Sequence, residues 1–126
     1  MRTAIHTATA PAAIGPYSQA IGSGHLLWCS GQLGVDPASG RLVGEDTASQ
    51  AMRALDNLEA VCLAAGTRLD LALRCTVYLV DLADFAVVNA IYEKRFTAPY
   101  PARATVQVAA LPRGGRVEID AVVQMS

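Results

Sequence analysis

The stretch Arg116–Gln124 reads RVEIDAVVQ. Val117, Ile119, Ala121 and Val123 are apolar, while Arg116, Glu118 and Asp120 alternate with them, the period of a strand buried on one face. If the apolar set packs beneath helices, the charged set points at whatever covers the other face of the sheet. Just upstream, Pro112–Gly115 is a turn and Thr105–Val108 alternates again, which predicts two strands joined through that turn. Further back, Phe85, Val88, Ile91, Tyr92 and Phe96 share a face of a helix that Asp84 caps. Pro99 and Pro101 forbid its continuation. Leu73–Leu79 (LRCTVYL) reads as a strand. Before it lies the clearest element, a helix opened by Thr47 with Gln50 three residues on, a capping-box signature, and stopped by Gly66. Ala48, Ala51, Met52, Leu55, Leu58 and Cys62 form its apolar face, and Asp56 and Glu59 lie elsewhere, in solvent.

Towards the N-terminus, His25–Ser30 (HLLWCS) is a strand reaching a turn at Gly31, and Asp36–Gly40 (DPASG) is turn chemistry with short strand beside it. Ala10–Gln19 is a loop stiffened by Pro11, Gly15 and Pro16. Arg2–His6 supplies a first strand. The order strands, helix, strand, helix, strands predicts an α+β layer, two helices on one face of a mixed sheet, as a single domain over 1–126. Two helices leave the second sheet face bare. A neighbouring subunit would cover it, and charges placed there are candidates for an interfacial site.

Composition points the same way. The chain is 52% hydrophobic and only 17% charged, against roughly 25% charged in an average globular protein. Few charges remain to dress a lone monomer, so a homo-oligomer is expected. Net charge is −1, and Lys94 with nine arginines is scattered without a basic stripe. That argues against binding nucleic acid or an anionic membrane. Cys29, Cys62 and Cys75 form no CxxC pair, and His6 and His25 lack ligand-like spacing, so no metal site is expected. The thiols read as reduced core residues. Pro11 and Pro16 interrupt any secretory leader, and no run approaches the roughly 18 apolar residues of a membrane span. A soluble, cytoplasmic protein is the expectation.

Four features carry chemistry. Gly15-Pro16-Tyr17-Ser18-Gln19 is a stiff loop presenting a phenol. Ser30-Gly31-Gln32 lies at a strand end where glycine lets a ligand approach the backbone. Pro101-Ala102-Arg103 holds an arginine at a strand start, and Val117-Glu118-Ile119 sets a carboxylate between apolar residues. In these blocks the chain resembles the RidA (YjgF-like) reactive-intermediate deaminases. PARATVQVAALPRGGRVEI, Pro101–Ile119, matches that family's signature. GPYSQA, CSGQLGVDPASG and DFAVVNAIYEKRF fall where its other recurring blocks stand. The resemblance covers essentially the whole chain, in order.

It implies a chorismate-mutase-like fold assembled as a homotrimer, with active sites in clefts between subunits. The implied activity is that of a 2-iminobutanoate/2-iminopropanoate deaminase, a hydrolase acting on C=N bonds. It would convert 2-aminoacrylate-type enamines and imines to 2-keto acids and ammonia without cofactor. Arg103 offers a planar fork suited to a substrate carboxylate. Glu118 is the implied general base and then acid for water attacking C2. The backbone at Gly31 and the N–H at Thr105 are implied secondary anchors, with Tyr17, Ser30 and Asn89 lining the cleft. Many relatives carry cysteine where this chain has Thr105, so a mechanism needing a thiol there does not apply.

Without the family match, Arg103 is an ordinary surface or ion-pair residue and Glu118 an exposed strand residue or a partner of Arg116. Ser30 and Asn89 read as structural hydrogen-bonders, and Cys29 as a core thiol turned opposite Ser30. Nothing resembles a Ser–His–Asp or Cys–His arrangement. Two rival functions stay open: a pathway-specific relative such as a 2-aminomuconate deaminase, and a non-enzymatic trimer that binds small carboxylates. The charge balance makes ribonuclease activity, attached to some relatives, a poor fit.

Overall fold

Gly31 does not end its strand. In the computed structural model, which describes residues 1–125, the strand runs on to Leu33 and carries a bulge at that glycine. The elements in chain order are β1 (Thr3–Ile5), β2 (Ala20–Ser23), β3 (Leu26–Leu33), α1 (Thr47–Ala64), β4 (Ala72–Leu79), α2 (Phe85–Arg95), β5 (Ala102–Gln107) and β6 (Val117–Gln124). The six strands form one sheet in the order β1-β2-β3-β6-β4-β5. Only β4 and β5 run parallel. The predicted layer of two helices on a mixed sheet is the observed fold.

The sequence reading misses β2, four residues that include Gly22. It also joins the last two strands through Pro112–Gly115 without anticipating what separates them: β4 lies between β5 and β6. Val35 and Leu42 form a single bridge around the Asp36–Gly40 turn.

α1 begins one residue earlier than the capping-box reading. Asp46 is the N-cap, accepting from the Ser49 N–H at 2.9 Å. Thr47 and Gln50 are drawn inward instead. Gln50 Nε2 donates to the Gly44 carbonyl at 2.8 Å and its Oε1 accepts from the Arg116 N–H at 2.8 Å. Gly66 does close the helix, at φ +83. Thr67 N–H reaches the Cys62 carbonyl and Gly66 N–H the Leu63 carbonyl, a Schellman motif. The buried face is Ala51, Ala54, Leu55, Leu58, Val61 and Cys62, with Asn57 among them. Met52, assigned to that face, is 48% exposed. The Asn57 amide is buried because it donates to the carbonyls of Leu33 and Val35, tying α1 to the end of β3. Asp56 pairs with Arg95 at 2.6 Å, joining α1 to α2. Glu59 accepts from the Leu69 N–H at 2.7 Å, so neither acid is merely solvated.

Asp84 sits at the N-cap position of α2 but makes no side-chain cap. Its carboxylate accepts from Thr47 Oγ1 at 2.6 Å and Arg116 Nη2 at 2.9 Å. Arg116 therefore ties β6 to the starts of both helices. It does not point to the bare face with Glu118, and it is not that residue's ion-pair partner.

Val117, Ile119, Ala121 and Val123 are buried beneath the helices, as the alternation predicts, with Leu27, Cys29, Cys75, Val77 and Leu79 beside them. All three cysteines are buried and free. The opposite face is uncovered. Trp28 and Val106 there are 52% and 41% exposed, and Glu118 and Asp120 look out between them. No helix among the described residues is long and apolar enough to cross a membrane.

Candidate functional site: two half-sites on opposite faces of one sheet

β6 turns Glu118 to the uncovered face, because its neighbours Val117 and Ile119 are committed to the core. Across the sheet, Cys29 pairs with Ala121 and Gln32 with Ile119, so Ser30 and Gly31 together stand opposite Asp120. This β-bulge re-aims the strand at the site, and a glycine is required in it. A Cβ on Gly31 would overlap the Glu118 carboxylate, which lies across the bare backbone. Beside it, Asp120 accepts from the Thr76 N–H at 3.1 Å and the Tyr78 hydroxyl at 3.0 Å. Burial, and secondly the charge of Asp120, push the Glu118 pKa above the ordinary glutamate value.

A cleft of about 640 Å³ opens over Glu118. Tyr17, Ser30, Gly31 and Arg113 line it with an apolar wall that includes Ile14, Leu33 and Val35. The loop carrying Tyr17 is organised by Gln19, only 2% exposed. Its Oε1 accepts from Thr7 N–H at 2.7 Å while its Nε2 donates to the carbonyls of Thr7 and Pro11. Ser30 clamps the other end: its N–H donates to the Gln19 carbonyl and its Oγ to the Ser18 carbonyl at 2.6 Å. Its hydroxyl proton is thus committed to structure. Tyr17 is left 53% exposed.

Arg103 is elsewhere. It pairs in register with Cys75, whose side chain is in the core, so Arg103 faces the helix side at the edge of the sheet. With Asn89, Tyr92, Glu93, Tyr100 and Pro101 it lines a second cleft of about 410 Å³. Thr105 follows on the same face of the same edge strand. Val108 N–H donates to the Leu79 carbonyl. Backbone groups alternate sides along a strand, so the N–H groups of Arg103 and Thr105 point off the open edge. The Thr105 N–H, named as an implied secondary anchor, is thus directed away from β4.

The predicted residues thus fall into two groups. Tyr17, Ser30, Gly31 and Glu118 surround one cleft. Asn89 and Arg103 line another, with Thr105 next to it on the edge. One chain holds the cation and the carboxyl on opposite sheet faces. The sequence reading did not single out Arg113, the basic residue lining the Glu118 cleft, nor the rings of Phe85 and Tyr92 beneath Arg103. The aromatic spacing on α2 was visible, but it read as core. No group of three or more His, Cys, Asp or Glu side chains converges as metal ligands among the described residues.

The family model described as endoribonuclease L-PSP matches residues 7–125. A 2-iminobutanoate/2-iminopropanoate deaminase from Bos taurus is 51% identical over 122 residues, spanning 97% of this chain and 89% of that protein. Among solved structures, RidA from an Antarctic Psychrobacter superposes with a TM-score of 0.94 at 46% identity, covering 98% of this chain and 99% of that one. Escherichia coli TdcF with bound serine gives 0.92 at 38% identity, again over 98% and 99% of the two chains. On sequence and on fold, this chain belongs to the endoribonuclease L-PSP family, the group that holds the Rid and YjgF proteins.

Proposed function

We propose that the protein is an enamine/imine deaminase that hydrolyses 2-aminoacrylate-type intermediates to 2-keto acids and ammonia, as a cytoplasmic homotrimer and without metal or cofactor. The observation that carries this reading is the division of the site. A carboxylate-binding half (Arg103, Asn89, the Thr105 N–H) and a proton-transfer half (Glu118, Tyr17, Ser30, Gly31) lie on opposite faces of one chain. In a ring of identical subunits, one face of each meets a different face of the next. The arginine edge of one subunit then closes over the Glu118 cleft of another, and the uncovered sheet face is buried in the same step. The whole chain, 1–126, acts as one domain, on small molecules and not on nucleic acid. The names of its relatives support the reaction class, and the serine bound in TdcF supports a site for small amino-acid-like carboxylates.

The Arg103 fork grips the substrate carboxylate bidentately, which fixes C2 before Glu118. An enamine substrate enters as its imine tautomer. Glu118 takes a proton from water, whose oxygen adds to C2 of the N-protonated imine while the C=N π pair moves onto nitrogen, leaving a neutral amino group. The resulting carbinolamine collapses when Glu118 returns its proton to the nitrogen. The C–N bond breaks, ammonia departs, and the C2 hydroxyl becomes the keto group by passing its proton through Glu118 to the ammonia, which leaves as ammonium. A raised pKa suits a group that must take a proton and give it back.

The direct test adds the purified protein to a threonine or serine dehydratase reaction and follows keto-acid release. Acceleration by wild type is expected. Glu118→Gln should lose at least about 10²–10⁴-fold in rate while still binding pyruvate. Arg103→Lys keeps the charge but not the fork, and should bind pyruvate weakly. No acceleration by wild type, with pyruvate still bound, would leave a carboxylate-binding trimer as the better reading.

A further inference from the structure

Arg103 has an unusual environment for a half-buried cation. The ion pairs among the described residues are Arg95–Asp56 and Arg116–Asp84, and neither involves it. Glu93, the acid lining the same cleft, is not within pairing distance. What holds the guanidinium is aromatic: its Cζ lies 5.4 Å from the Phe85 ring centroid and 4.7 Å from that of Tyr92. Both rings come from α2, one helical face presenting residues 85 and 92 to the edge strand. Tyr92 is 4% exposed and braced from behind by Phe96, centroid to centroid 4.5 Å. Its hydroxyl has no nitrogen or oxygen partner, only the Cys75 thiol nearby. The ring is therefore placed for its face, not for its phenol.

We propose that Phe85 and Tyr92 are positioning residues for carboxylate recognition, their π faces holding Arg103 in place of a counter-ion so that its in-plane N–H donors stay free. This rests on the reading of Arg103 as the carboxylate-binding group. A carboxylate partner would occupy the same donors that the substrate needs and would have to be displaced at each turnover. A ring quadrupole attracts the cation from above its plane and consumes no donor. It also fixes the plane of the guanidinium, so the fork is aimed before substrate arrives.

The test compares binding of pyruvate and of its neutral amide, pyruvamide, by calorimetry in the assembled protein. Tyr92→Leu keeps the position apolar but removes the π face. Phe85→Leu does the same at a position 41% exposed, where folding is not at risk. Each is expected to raise the pyruvate Kd by about 3- to 30-fold and to leave the pyruvamide Kd unchanged. Tyr92→Phe, which restores the face without the hydroxyl, should recover the pyruvate Kd. Equal weakening of both ligands would mean lost shape rather than lost charge positioning, and would overturn the proposal. So would unchanged pyruvate binding in both leucine variants while Arg103→Ala loses it, a result that leaves the role of Arg103 standing. Wild-type pyruvate binding by Arg103→Ala would overturn the role of Arg103 and the aromatic proposal together.

Discussion

A carboxyl that must take a proton from water and return it to ammonia works best with a pKa above that of an exposed glutamate. Glu118 obtains this from two neighbours of different kinds. Burial between the strands is the larger cause, and the Asp120 carboxylate two residues along the same face is the second. Tyr78, cross-strand from Glu118, donates to Asp120, and Arg113 donates to the Gly40 carbonyl and forms no ion pair with Glu118. In the proposed mechanism Glu118 acts deprotonated, so the acid limb of kcat/KM should lie above the ordinary glutamate value of 4.5. In Asp120→Asn that limb should move to lower pH without reaching 4.5, because burial remains. An unmoved limb would remove Asp120 from the account. Gly31→Ala tests the same carboxyl sterically. The new methyl collides with it, and a displacement on the order of 1 Å costs about 10²-fold in rate. A fully active Gly31→Ala enzyme would show that Glu118 is not used where it lies.

At the scale of elements, the helices and the core strands were legible because their periods are strong. The alternation in Val117–Val123 set one face inside and the other out, and Gly66 marked the end of α1. Features that depend on what a segment meets were not legible. Thr47 looks like a cap, but Arg116 and Asp84, distant in sequence, compete for its hydroxyl, and Asp46 takes the cap. Met52 fits an apolar stripe that the helix does not turn towards the sheet. Gly31 reads as a strand end, since nothing local says that a carboxylate from another strand needs its missing side chain. The two halves of the site could be named from the motif but not placed. Their separation follows from β5 pairing with β4 instead of β6, in the register that sets Arg103 beside Cys75. The cap reassignment has its own consequence. Asp46→Ala should lower the midpoint of urea unfolding at fixed protein concentration, because the Ser49 N–H loses its acceptor. An unchanged midpoint would return the cap to Thr47.

For the whole molecule, the claim at stake is that no single chain contains a complete site. The low charge content, the uncovered sheet face and the two separated clefts all lead there, and each has the same resolution in a ring of subunits. The most direct measurement mixes two inactive variants. Arg103→Ala retains a working Glu118 cleft and Glu118→Gln a working Arg103 edge. Each alone should be inactive in keto-acid release. Equal amounts, unfolded together and refolded to allow random assembly, place an intact arginine edge against an intact glutamate cleft at about one site in four. The account predicts about a quarter of wild-type activity from that mixture, and none from the same variants mixed without subunit exchange. Refolded heteromers that stay as inactive as their parents would contradict it, because they would place both groups on one chain.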